Sequence, residues 1–218
     1  MEFRELLTTV GDEPLFGTGL LLAGDVDPND VRRQLSRWTA AGKLYQLRRG
    51  LYALAPPYQK TNPHPFLVAN RLVRASYVSL QAALAHYNLI PEHVPVVTSV
   101  TAARPVEYET PLGQYVFHHV KQSLFQGYHL MEVSDGQSAF VATPEKALLD
   151  LIYLQPGGDD PAYLRELRLQ NLERLNTTTL QQMAERAQSP KLTRATAIIK
   201  ALAEEEKNEY EILPGRPN

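Results

Sequence analysis

The chain predicts an α+β protein in two parts, and three observations carry that prediction. Helical and extended segments alternate over the first 54 residues, four prolines cluster between positions 56 and 65, and the following stretch moves from alternating apolar segments to helical periodicity. A length of 218 residues fits one large domain or two small ones. The composition, 44% hydrophobic and 21% charged, is that of an ordinary globular chain. No apolar run approaches the roughly 18 residues of a membrane helix. The start, MEFRELLTTV, lacks the basic and apolar regions of a secretory signal, so a cytoplasmic location is expected. With no cysteine there is no disulfide scaffold, thiolate nucleophile or Cys-based zinc site.

Each element follows from local signals. Phe3, Leu6, Leu7 and Val10 have helical spacing, and Gly11 ends that helix. Pro14 to Gly17 is short and extended, and Thr18 can cap a second short helix through Ala23, stopped by Gly24. The third helix has the sharpest start: Asp27 as N-cap, Pro28 at the first helical position, Asp30 in the first turn. It should run to about Ala41, with Gly42 as its C-cap. Lys43 to Leu47 and Leu51 to Leu54 then form a β-hairpin around Arg48-Arg49-Gly50. Helix, strand, helix, helix, hairpin is the order of a winged helix-turn-helix, assigned to residues 1–58. Pro56, Pro57, Pro63 and Pro65 make the connection stiff, and residues 59–65 are taken as the linker.

Residues 66–218 form the second domain, mixed α+β with a helical C-terminal part. Phe66 to Val73 and Ser79 to Tyr87 are dense in apolar residues and alanine and predict buried helices. Strands are expected over Val94 to Thr101, Val106 to Glu109, Tyr115 to Val120, His129 to Val133 and Ala139 to Ala142. Pro144 opens a helix to about Leu154, the pattern from Pro161 to Glu206 is helical, and Asn208 to Asn218 is expected to fray.

The formal charge of −2 hides an asymmetry. Residues 1–30 sum to −6, whereas residues 31–60 hold seven bases and no acid. Such a window marks an anion-binding surface. On a wheel of roughly 100° per residue, Val31, Leu35 and Trp38 share one stripe, so Trp38 is read as core. Asn29, Arg33, Ser36, Arg37 and Ala40 lie opposite, with Arg32 on the flank. Arginine reaches guanine bidentately, asparagine suits adenine, and small residues let the backbone approach base edges. The candidate DNA-contacting set is Asn29, Arg32, Arg33, Ser36, Arg37, Lys43, Arg48 and Arg49, with the last two on the wing.

Two strings, Leu35-Ser36-Arg37-Trp38 through Gly42-Lys43-Leu44 and Leu47-Arg48-Arg49-Gly50-Leu51-Tyr52-Ala53-Leu54, resemble the N-terminal winged helix of the AbiEi antitoxins of bacterial abortive-infection, type IV toxin-antitoxin systems. Ser76 to Leu84, Leu89-Ile90-Pro91-Glu92, Val97 to Thr101 with Arg104, and Pro144 to Asp150 are similar to that family's second domain, over about residues 3 to 155. The resemblance implies an autoregulatory repressor whose winged helix binds inverted repeats in double-stranded DNA upstream of its own operon. It also implies a C-terminal domain that neutralises a cognate nucleotidyltransferase-like toxin. The family's DNA contacts fall on Arg32, Arg33, Ser36, Arg37, Arg48 and Arg49. Neither Arg104 nor the Pro144-Glu145-Lys146 corner receives a role. The acidic first thirty residues and the short C-terminal helices depart from the pattern.

The rivals are a ligand-responsive repressor without a toxin partner and, less favoured, a nuclease targeted by the winged helix. A restriction-like nuclease needs an Asp and a Glu-x-Lys around Mg²⁺. Asp135 lies in a turn, Glu145-Lys146 lacks the intervening residue, and Glu145 is better explained by the helix dipole. Glu107 and Glu109 share one strand face, as exposed strand acids commonly do. His118 and His119 point to opposite faces, and His86, His93 and His129 are scattered. The expectation is a protein that is not an enzyme, with no catalytic residue, cofactor or metal.

Overall fold

The computed structural model describes residues 1–23, 26–92 and 94–212; the predicted stop at Gly24, His93 and the last six residues lie outside them. The fold is mixed α+β, with two sheets among the described residues. The first 54 residues form α1 (Phe3–Val10), β1 (Phe16–Gly17), α2 (Thr18–Leu21), α3 (Pro28–Ala40), β2 (Leu44–Arg48) and β3 (Leu51–Leu54). Local chemistry sets α3. Asp27 accepts the Asn29 N–H at 2.8 Å and Pro28 occupies the first turn. At the other end Gly42 takes φ +68°, while Gly42 N donates to Thr39 and Lys43 N to Trp38, a Schellman closure that turns the chain into β2. The predicted cap at Thr18 is displaced by one residue. Gly17 holds that position, and the Thr18 N–H is drawn to the Gly50 carbonyl at 3.0 Å.

The small sheet has the order β1-β3-β2, antiparallel throughout, with a bulge between Gln46 and Arg48. Its two-residue turn, Arg49-Gly50, uses φ +79° at Gly50, a conformation that favours glycine.

The rest comprises α4 (Pro65–Leu72), β4 (Ser76–Val78), α5 (Leu80–His86), β5 (Val96–Thr101), β6 (Val106–Thr110), β7 (Gly113–His119), β8 (Tyr128–Ser134), β9 (Gln137–Ala142), α6 (Pro144–Leu154), α7 (Pro161–Glu166), α8 (Thr177–Arg186) and α9 (Pro190–Ile212). Six strands form a mixed sheet in the order β6-β7-β5-β4-β9-β8, with β4–β9 and β5–β7 parallel. The sequence misses β4, whose three residues are too short to show alternation and are all buried. The single helical pattern expected from Pro161 to Glu206 is broken. Arg168, Asn171 and Gln188 adopt left-handed backbone, and Asn176 caps α8 through the Thr179 N–H. The frayed tail expected from Asn208 is instead helical to Ile212.

Among the described residues two apolar cores result. The smaller gathers Leu6, Val10, Phe16, Leu21, Val31, Leu35, Trp38, Leu44, Tyr52 and Leu54, so Trp38 is core as predicted. The larger runs through both faces of the six-stranded sheet and its helices, and it includes Leu15, Leu47, Leu51 and Ala53. Strand β3 alternates between them: Tyr52 and Leu54 enter the smaller core, Leu51 and Ala53 the larger.

Candidate nucleic-acid interface

Burial of Val31, Leu35 and Trp38 fixes the rotation of α3 about its axis. Asn29, Arg32, Arg33, Ser36, Arg37 and Ala40 are consequently all exposed. Two local contacts order this face. Arg33 pairs with Asp30, and the Arg32 Nη1 donates to the Asn29 Oδ1 at 3.3 Å. Both are exposed pairs three residues apart, worth at most a few tenths of a kcal/mol, so a stronger acceptor can replace them at little cost. Arg37 has no ion pair among the described residues. The acids of the N-terminal block are largely engaged locally. Glu2 and Glu5 form the capping box of α1, Asp12 pairs with Lys60 at 3.1 Å, and Asp27 caps α3.

The remaining three candidates separate. Arg49, at the turn, is exposed. Lys43 is half-buried, with Nζ 4.6 Å above the Phe3 ring, a cation–π contact that ties β2's entry to α1. Arg48 is turned onto the other core. Its Nη2 donates to the Arg71 carbonyl and its Nη1 to the Arg49 carbonyl, both at 3.3 Å, while Nε is buried and has no partner among the described residues. A cation at the last carbonyls of α4 also complements that helix's dipole. Six of the eight sequence-predicted positions thus reach the outer surface, and Lys43 and Arg48 hold the hairpin in place.

No family model matches the chain, and no curated protein matches it. Among solved structures it is similar to the RV2827C protein of Mycobacterium tuberculosis, with 16% identity over 92% of this chain and 80% of that one, at a TM-score of 0.47.

The structure also assembles polar groups that the sequence did not bring together. Asp150 on α6, almost wholly buried, accepts from Lys146 Nζ at 2.5 Å, Ser79 Oγ at 2.8 Å and Tyr77 Oη at 3.0 Å. Burial pushes the Asp150 carboxyl up despite these donors, and burial beside Asp150 pushes the Tyr77 phenol up. Every polar atom of the Asp150 carboxylate is satisfied and Ser79 has no exposed surface, so the cluster works as a clamp between β4, α5 and α6. Glu145 requires a correction. It is buried and accepts the Asn176 N–H at 2.8 Å, pinning α8's start to α6 rather than merely complementing a dipole.

A depression of about 640 Å³ is lined by His64, Phe66, His86, Gln114 and Tyr115 among others. Its histidines are held below the ordinary imidazole range, chiefly by burial. The His64 Nδ1 accepts the Phe66 N–H, which leaves its proton on Nε2. Among the described residues, no group of three or more His, Asp or Glu is placed to hold a metal. No described helix is long and apolar enough to cross a membrane.

Proposed function

We propose that this chain is a non-enzymatic DNA-binding protein. Residues 1–58 act as a winged helix-turn-helix, residues 59–65 link it to the second domain, α3 enters the major groove, and the β2–β3 hairpin lies on the backbone. The observation that carries this reading is the outward face of α3, where Asn29, Arg32, Arg33, Ser36 and Arg37 stand opposite a buried stripe. Within the hairpin the phosphate contact belongs to Arg49, because the Arg48 guanidinium is committed to Arg71. With the family resemblance, the role is an antitoxin that represses its own operon and neutralises a nucleotidyltransferase-like toxin through residues 66–218.

The test is binding of the full chain to the DNA upstream of its gene against scrambled DNA, at several salt concentrations. Specific binding at physiological salt supports the reading; a folded protein without preference overturns it. The depression at His64 and His86 favours a second reading, a repressor answering to a small molecule. Rescue of toxin-inhibited growth by the full chain, with no effector added, separates the two.

A further inference from the structure

The two edges of the six-stranded sheet differ. Strand β6 carries Glu107 and Glu109 and lies beside β2. Strand β8 has no strand on its outer side among the described residues; it contains neither proline nor lysine, and its charge, Glu132, and the bulge between Glu132 and Ser134 fall at its C-terminal end, leaving Tyr128 to Met131 open. Leu130 on β8 is 60% exposed and Phe140 on β9 is 41% exposed, and the two are directly opposite in register. Tyr128 meets the Phe140 ring edge-on at 5.8 Å and leans inward, stacked on Tyr77 at 4.5 Å, so the exposed strip is Leu130 and Phe140.

The direction of the backbone groups at Leu130 can be deduced. The Phe140 N–H donates to the Asn70 Oδ1 at 2.5 Å, so it points away from β8. Leu130 and Phe140 are therefore a non-hydrogen-bonded pair of the antiparallel ladder, and Leu130 directs its own N–H and C=O to the open edge. By the period of two, Tyr128 and Glu132 do the same and share Leu130's face of the sheet.

We propose that β8 is a self-association edge, on which the β8 of a second copy pairs antiparallel about a two-fold axis at Leu130. The occupant follows from self-complementarity. In that register the two Leu130 residues exchange both backbone hydrogen bonds, and their side chains join the two Phe140 rings in one apolar strip. Glu132 lies opposite Tyr128 of the second copy in this register; among the described residues its carboxylate accepts only the Gly136 N–H, at 3.3 Å. Centring on Met131 instead would set Leu130 against Glu132, an apolar group against a charge, and is disfavoured. The pairing joins the two sheets edge to edge. Resting on the DNA-binding reading, it supplies the two-fold symmetry with which a pair of α3 helices would meet an inverted repeat.

Sedimentation equilibrium of the full chain across the micromolar range tests this, with wild type beside Leu130→Lys and Phe140→Ser. Both side chains are exposed, and unchanged circular dichroism and thermal midpoint will show the variants folded. The expected result is a wild-type dimer whose dissociation constant rises about tenfold or more in Leu130→Lys, a charge at the centre of an edge pairing. A wild type that stays monomeric, or a dimer equally tight in both variants, overturns the proposal. Binding of Leu130→Lys to the upstream DNA, measured in parallel, keeps the two readings apart. A monomer that still binds DNA sinks only the edge pairing, and a dimer that binds no DNA sinks only the DNA reading.

Discussion

Arg48 and Arg71 join the two cores: Nη2 of the first donates to the backbone carbonyl of the second at 3.3 Å, across 23 residues of chain. The contact makes one of two adjacent hairpin arginines a structural residue. Arg48→Ala is expected to lower folding stability by about 1 kcal/mol, the net worth of a partly exposed charged hydrogen bond, with the salt dependence of DNA binding little changed. Arg49→Ala should do the reverse, leaving stability intact and reducing the slope of log K against log salt by about one unit. Urea denaturation and salt titrations of both variants check the pair; equal slope losses would return Arg48 to the contact set.

If α3 reads DNA as proposed above, Arg33→Ala should cost about 1–3 kcal/mol at a single operator position and relax specificity there. Binding of a base-substituted operator series measures this. A loss equal at every position would reassign Arg33 to phosphate.

The buried clamp gives a stability prediction. Asp150→Ala leaves Lys146 buried without its counter-charge and should cost about 3–5 kcal/mol, whereas Lys146→Met with Asp150→Leu should recover only the part owed to the lysine, since the buried Tyr77 and Ser79 hydroxyls still lose their acceptor. Denaturant midpoints of the single and double variants decide it; an additive double variant would refute the coupling.

Burial lowers the pKa of His64, His86 and His118, with Glu107 opposing the shift at His118. A depressed folded pKa means that the unfolded chain binds protons first. The stability these residues contribute is present above the ordinary imidazole value of about 6.5 and is lost as pH falls through the folded values. Thermal midpoints should therefore drop between neutral and mildly acidic pH. His86→Gln should flatten that drop, and an identical profile in the variant would remove His86 from the titration.

Where signals were local, the sequence was legible. Asp27-Pro28 and Gly42 frame α3, and the stripe of Val31, Leu35 and Trp38 fixes which arginines face outward. The hairpin was legible from its alternation and from Gly50. What escaped depends on distant partners. Tyr77 and Ser79 meet Asp150 across more than 70 residues, and Asn176 meets Glu145 across 31. No spacing rule links such positions. The commitment of Arg48 escaped for the same reason, since an arginine's reach, not its residue type, decides whether it faces solvent or a neighbouring helix. The breaks after α7 were hidden because Arg168 and Gln188 are ordinary helix formers that here take left-handed backbone.

Strand β3 places alternate side chains in each of two cores, and this limits how such a protein can be rearranged. Exchange at residues 59–65 would separate Leu15, Leu47, Leu51 and Ala53 from the apolar surface they cover and bare that surface in both products. A transplanted N-terminal segment must therefore bring its own underlay, or be refitted at those four positions. On the DNA-binding reading proposed above, new target preferences would be reached more readily by altering Asn29, Arg32, Arg33, Ser36 or Arg37, whose side chains are exposed and belong to neither core.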